Sequence, residues 1–400
     1  MSLFFILVLS ALLAVATYLG VRFYKAFCAF FPGWLKHRVI YGIIFFVVIV
    51  FFPVFSLMAP FIAFYVNAGL GISPDVAYMG SLLLAFIIVA FTTTFVLDMA
   101  GTLIFLLPPL KPVSRFFKQK PHYPGVMVLV AIAIHFGLSL YWAHAPQAVY
   151  YSVAVPKPIG GEQKTLRVVH ISDTHIAGYS SVAYHQSIID KINALNPDLV
   201  VIAGDIVDRS VAPFEPFVDV FAQLKTRYGV FAILGNHEYF GESPDQAVKL
   251  YEKAGMRVLR DQAYTLPTLG ITLIGRDDRI RGTPRAARFV HSSAQEPRAS
   301  LATLMEQADP SKPIFVVSHQ PVELETSARL GVDIEFSGHT HDGQFFPINL
   351  IVAFLYQNPW GVWHRGNYTS IVTCGLGTWG PPIRSPSRSE IVVADITFAQ

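Results

Sequence analysis

The first third of the chain is built from long apolar runs, and the rest from short ones. LFFILVLSALLAVATYLG starts at Leu3, VIYGIIFFVVIVFFPVFSLMAPFIAFYV at Val39, AYMGSLLLAFIIVAFTTTFVLDMAGTLIFLL at Ala77 and VMVLVAIAIHFGLSLYWA at Val126. Each reaches the roughly 18 to 20 residues that a helix needs to cross about 30 Å of hydrocarbon. The pattern predicts four transmembrane helices, over 3–21, 39–64, 77–107 and 125–144, in a membrane region of residues 1–145. No Lys or Arg precedes the first run, whereas Arg22 and Lys25 follow it. That order is the reverse of a signal peptide, so the run is expected to stay in the mature protein.

Loop charges predict the orientation. Arg22, Lys25, Lys36 and Arg38 lie between the first two runs, and Lys111, Arg115, Lys118 and Lys120 between the last two, whereas NAGLGISPD carries no Lys or Arg. Positive loops stay inside, which puts both termini on the other side and everything after about residue 146 outside the cytoplasm, as a multi-pass protein of the cell (inner) membrane. Asp98 falls inside the third run. An ionisable group at bilayer depth is a functional candidate, and the simpler reading is a run longer than one span with Asp98 near an interface.

APQAVYYSVAVPKPIGGEQKT, rich in Pro and Gly, reads as the connector, residues 146–163. Beyond it the pattern turns to short β-branched runs: LRVVHIS, DLVVIAG, GVFAILG, ITLIG, PIFVVSH, VDIEFSG, TSIVTC and EIVVADITF. Helix-like stretches such as AYHQSIIDKINAL and SPDQAVKLYEKAG alternate with them, which predicts an α/β domain with a largely buried sheet over residues 164–400.

Composition agrees with this division. Of 400 residues, 53% are hydrophobic and 14% charged, too apolar for a purely soluble chain. The net charge of +3 is spread without a dense basic block, so nucleic acid is not indicated as a partner. Two cysteines, Cys28 and Cys374, exclude a disulfide framework and a cysteine zinc site.

Five strand ends repeat one event. ISDTH gives Asp173 and His175, AGDIVD gives Asp205 and Asp208, LGNHE gives Asn236 and His237, VSHQP gives His319, and SGHTHDG gives His339 and His341. Polar side chains at the C-terminal ends of core strands converge on one crevice, as at the ligand sites of open α/β sheets. A pair of divalent ions needs a bridging carboxylate, neutral imidazoles and open positions for water and substrate. Nitrogen and oxygen donors without thiolate suit Mn, Fe or Zn. So many metal-competent groups would be costly to bury unpaired without cations. Gly204, Gly235 and Gly338 each precede a candidate ligand. Lone histidines such as His170 read as packing residues, and His185 and His291 as surface.

DTH, GDIVD, GNHE, SH and GHTH, in this order, resemble the motif series of the calcineurin-like metallophosphoesterases, and GLGTWGPPIRSPSRSEIVV is similar to the ending of its bacterial membrane-anchored branch. The resemblance implies two mixed β-sheets sandwiched by helices in four layers. It also implies two divalent metal ions, one held by Asp173, His175 and His341, the other by Asn236, His319 and His339, with Asp205 bridging. His237 would then protonate the leaving oxygen or steady the transition state, oriented by Asp208, while a metal-bound hydroxide attacks a phosphate ester or phosphodiester. Arg384 and Arg209 are weaker candidates for gripping phosphate oxygens. The expected partner is a phosphorylated small molecule or lipid, with a lipid-linked or envelope substrate suggested by the anchor. Two alternatives stay open: a cytoplasm-facing lipid pyrophosphatase, and a non-enzymatic metal-dependent sensor or transport subunit. RDDRIRGTPRAARF is a candidate specificity loop.

Overall fold

The computed structural model describes residues 3–30, 39, 42–43, 74–120, 122–240, 244–283 and 297–399. The chain divides into two compact units, Met1–Tyr141 with Gly380–Ile383 and Trp142–Trp379 with Arg384–Gln400.

The first unit is helical. It comprises α1 (Leu3–Phe30), α2 (Pro74–Leu106), the short α3 (Lys111–Gln119) and most of α4 (His122–His144). Two described helices, Asp75–Leu106 and His122–His144, are long and apolar enough to cross a membrane. They coincide with the third and fourth expected spans. The first expected span lies within α1, which is helical but is not one of those two, and the second, 39–64, falls almost entirely outside the described residues. Among the described residues, two helices qualify where four spans were expected along the chain. Asp98 accepts a hydrogen bond from the Tyr18 hydroxyl at 2.5 Å and pairs with Arg22, so α1 supplies partners for the carboxylate inside the third apolar run.

The second unit carries two six-stranded sheets. The first has the order β1 (Gln147–Pro158), β12 (Glu390–Ala399), β2 (Thr165–Ile171), β3 (Leu199–Ile202), β4 (Val230–Ala232), β5 (Met256–Val258). The second runs β10 (Gly361–Arg365), β11 (Tyr368–Val372), β9 (Ile334–Ser337), β8 (Ile314–Val317), β7 (Thr272–Gly275), β6 (Gln262–Thr265). Both are mixed. β2 to β5 run parallel and so do β7, β8, β9 and β11, whereas β12 opposes β2 and the pairs β10–β11 and β6–β7 are antiparallel.

Strand periodicity sorts side chains into layers. Leu166 and Val168 of β2, with Leu199 and Val201 of β3, meet Phe315, Val317 and Phe336 of the second sheet in a core between the sheets. Val169, Ile171, Val200 and Ile202 point the other way, onto α5 (Val182–Ala194), α6 (Val218–Phe221) and α7 (Pro244–Lys253). Ile274, Ile314 and Val316 pack outward against α8 (Leu301–Met305) and α9 (Leu324–Arg329). Burial on both faces explains why these strands read as continuous apolar runs. His170 behaves as packing, its Nε2 2.9 Å from the Ser337 carbonyl oxygen across the two sheets.

Two expectations change. Residues 147–158, expected as part of a linker, form β1 and pair with β12 from Gln147 to Pro158. VYYSVAV is β-branched and aromatic, and its prolines stand at the ends of the strand. His185, expected at the surface, is buried beside Phe217 and donates through Nδ1 to the Ser181 carbonyl at 2.9 Å. His291 lies outside the described residues.

Candidate metal centre

The five parallel strands β2, β3, β4, β8 and β9 end in the five motifs, so the topology delivers their side chains to one edge of the sandwich. The chain bends sharply there. Asp173, His175, Asp205, His339 and His341 all adopt positive φ, between 46° and 70°. Non-glycine residues rarely do so, and such strain concentrates at functional sites. Gly204 is itself at φ +83°, where an added Cβ would sit 2.5 Å from the Gly235 nitrogen. The Asp205 and Asn236 turns can therefore touch only through glycine.

Three donor groups form. Asp173, His175 and His341 make one, Asp205, His319 and His339 a second, and His175, Asp208 and His237 a third. In the first, His175 Nε2 lies 3.0 Å from His341 Nε2, which is 3.2 Å from Asp173 Oδ1. In the second, His319 Nε2 is 3.1 Å from Asp205 Oδ2, from Asn236 Oδ1 and from His339 Nδ1. Asp205 thus stands between the groups, with Oδ2 also 3.9 Å from His175 Nε2.

These residues fit divalent cations. Burial lowers His175 and His339, each to about 3, which leaves their rings in the neutral, metal-ligating form. Neutral ring nitrogens facing one another beside a carboxylate are reconciled by a cation that accepts all their lone pairs. Burial alone would raise Asp205, but the imidazoles of His319 and His237 outweigh it and hold the carboxyl below its usual range. His319 donates through Nδ1 to the Ala203 carbonyl at 2.7 Å, which frees Nε2 to point inward.

His237 stands beside these donors with a different partner. Its Nδ1 donates to Asp208 Oδ1 at 2.7 Å, and its backbone nitrogen donates to Asp205 Oδ1 at 2.8 Å. Burial lowers its pKa, but Asp205 and Asp208 prevail and raise it, which favours the protonated ring. Arg209, at φ 74°, lies close enough for its charge to act on both Asp208 and His237. Arg384 is fully buried. Its Nη2 lies 3.1 Å from His341 Nδ1 and donates to the Gly375 carbonyl at 3.1 Å and to that of Gly377. The guanidinium thus reaches the back of a donor ring.

Sequence reasoning assigned no role to Glu238, which the structure places as a brace. Its carboxylate accepts from the nitrogens of Gly235 at 2.8 Å, Asp205 at 3.1 Å and Ile206 at 2.7 Å, and from the Tyr251 hydroxyl at 2.9 Å. One buried side chain therefore fixes the turns that carry Asp205 and Asn236. Its only sequence signal was its place directly after GNH. In the candidate specificity loop, Asp277 accepts from Tyr239 and Arg260, and Gln320 donates to Asp278, so its first residues belong to a polar network; residues 284–296 lie outside the described ones.

A sandwich of two mixed sheets with these donors at its strand ends defines the class of the domain. Residues 166–343 match the family model described as calcineurin-like phosphoesterase. An uncharacterized metallophosphoesterase of Helicobacter pylori is 28% identical over 230 residues, which cover 57% of this chain and 59% of the relative. A transmembrane protein with metallophosphoesterase domain from Danio rerio is 31% identical over 278 residues, covering 66% of this chain and 60% of its own. Among solved structures, a dimetal phosphatase from Danio rerio superposes with a TM-score of 0.40 at 13% identity, over 59% of this chain and 100% of that one. The chain thus carries a calcineurin-like phosphoesterase domain over residues 166–343. It spans 59% and 60% of the lengths of the two relatives.

Proposed function

We propose that this protein is a membrane-anchored phosphoesterase that hydrolyses a phosphate ester or phosphodiester at a site for two divalent metal ions. The observation that carries the reading is His237: it sits among the donors, yet Asp208 holds it at 2.7 Å. A site that only bound metal would have no use for an imidazole oriented in this way. Asp173, His175 and His341 would hold one ion, Asn236, His319 and His339 the other, and Asp205 both. Bound there, two divalent ions supply an activated water and neutralise charge on the phosphoryl oxygens. His237 delivers a proton to the departing ester oxygen from Nε2, while Asp208 fixes the ring through Nδ1. The buried donors and the Glu238 brace hold the geometry without rearrangement during reaction.

The anchor in this reading is the helical unit, supported by the two long apolar helices and by the relative from Danio rerio described as a transmembrane protein. The positive residues around Arg22 and Lys118 favour a cytoplasmic side for those loops and an extracytoplasmic catalytic domain on the inner membrane. A C-terminal reporter active only after export supports this placement, and one active only in the cytoplasm overturns it.

The test of activity is hydrolysis of chromogenic phosphate mono- and diesters by the full chain in detergent, with Mn, Zn, Fe or no added metal. Metal-dependent turnover that disappears in Asp205→Asn and His237→Ala is the expected result. Turnover that persists in both variants would place the chemistry elsewhere.

A further inference from the structure

The turn carrying His341 leads into an apolar helix, α10 (Ile348–Leu355), whose sequence INLIVAFL contains no charge and no buried residue. Leu350 is 59% exposed, Ile351 52%, Phe354 89% and Leu355 67%. Phe346 before the helix and Trp360 after it are exposed as well. Among the described residues of this unit, only Tyr150, Val182 and Trp379 are other large apolar side chains exposed to this degree. Soluble surfaces scatter such residues singly, and a contiguous patch marks a docking surface.

The patch is coupled to the metal centre. The Tyr356 ring, which follows α10, lies 6.2 Å from the His339 ring, centroid to centroid. At the other end, Gly343 packs so closely on the Asn349 backbone that no Cβ fits between them. α10 is therefore rigidly attached to the GHTHDG turn.

From this geometry we infer that α10 docks the metal-site end of the domain into the lipid interface of the bilayer, so that the ester hydrolysed is carried by a membrane-embedded amphiphile. The inference rests on the phosphoesterase reading and names the substrate class of that site. Three features favour lipid over a protein partner. The eight residues include one polar side chain, Asn349, and no charged one, whereas protein interfaces surround an apolar centre with a polar rim. An exposed tryptophan, Trp360, flanks the helix, as at membrane–water interfaces. The same chain also carries two helices long and apolar enough to span a bilayer, so lipid is present wherever the domain is tethered.

The test uses the full chain in phosphatidylcholine–phosphatidylglycerol vesicles. Phe354→Cys in a Cys28→Ser background carries an environment-sensitive fluorophore, Cys374 being buried. Quenching by spin-labelled lipid, with shielding from aqueous iodide, is expected. Iodide quenching without lipid quenching overturns the docking, and shielding from both, with cross-linking between chains, points instead to a second copy as occupant. In parallel, Ile351→Ser/Phe354→Ser should lower turnover of a vesicle-borne lipid phosphodiester about tenfold or more and leave that of a soluble chromogenic diester unchanged. Equal loss on both substrates, or on neither, overturns the inference. A wild-type chain inert toward both esters would sink the phosphoesterase reading instead, and the quenching result alone then decides the docking.

Discussion

His237 donates its Nδ1 proton to Asp208 at 2.7 Å, while its Nε2 stands 3.9 Å from Asp205 Oδ2. One ring thus faces Asp208 on one side and Asp205, which stands between the other two donor groups, on the other. In the proposed reaction this arrangement would separate proton delivery from metal binding. His237→Ala should therefore lower turnover by roughly 10² to 10⁴-fold, the usual contribution of a positioned acid. Metal content, measured by atomic emission, should stay at the wild-type value. Asp208→Asn removes only the orienting partner, and a smaller loss of about 10 to 100-fold is expected. A fall in metal content equal to the fall in rate would make His237 a ligand.

Asp205 makes the opposite prediction. It lies 3.1 Å from His319 Nε2 and 3.9 Å from His175 Nε2, one donor from each group. Asp205→Asn should cut the number of bound ions along with turnover. Gly235→Ala reaches the same end by another route, because its Cβ would fall on Asp205 Oδ1. Metal stoichiometry below the wild-type value in both variants is the expected measurement, and full occupancy in either contradicts the bridging role.

The clustering of the donor side chains was legible because each donor follows a strand whose apolar run is unmistakable, and the five motifs keep their order along the chain. Glu238 was not, since a buried carboxylate that accepts backbone nitrogens has no periodicity and no spacing rule. β1 was hidden by its prolines, which mark a loop in sequence but stand at the strand's ends in the fold. β5, β6 and β10 were missed for a related reason. MRV, QAYT and GVWHR are short and carry polar residues, and partners supplied by β4, β7 and β11 make them strands. The apolar run INLIVAFL stands in the sequence, but only the structure shows it as a helix left exposed by the described residues.

The Glu238 brace should matter for stability as well as for the site. Glu238→Ala leaves the buried nitrogens of Gly235, Asp205 and Ile206 without their acceptor. Each unsatisfied group costs about 1 to 3 kcal/mol, so a loss of at least ~3 kcal/mol is expected. Glu238→Gln keeps one acceptor oxygen and should lose less. Thermal unfolding in detergent, read beside metal content, separates the two: a normal melting temperature in Glu238→Ala would show that the turns are held by other contacts.

Glu335 carries a pH prediction away from the metal donors. It is fully buried in β9, where the Tyr368 hydroxyl donates to Oε2 at 2.8 Å. Burial raises its pKa above the usual carboxylate range, and the nearby Ser327 and Tyr368 hydroxyls, with the charges of Arg276 and Arg298, offset only part of that. In the unfolded chain the group titrates near its ordinary value of about 4.3. Between that value and the raised folded one, the folded state holds more protons than the unfolded state. Stability from this residue therefore falls as pH rises through the window, and the penalty is full above the folded pKa. Glu335→Gln removes the titration while keeping an acceptor for Tyr368. The variant should melt higher than wild type at pH 7.5, and its advantage should shrink as the pH approaches 4.5. A difference in melting temperature that stays constant from pH 4.5 to 7.5 would mean that Glu335 keeps the same charge in the folded and unfolded chains.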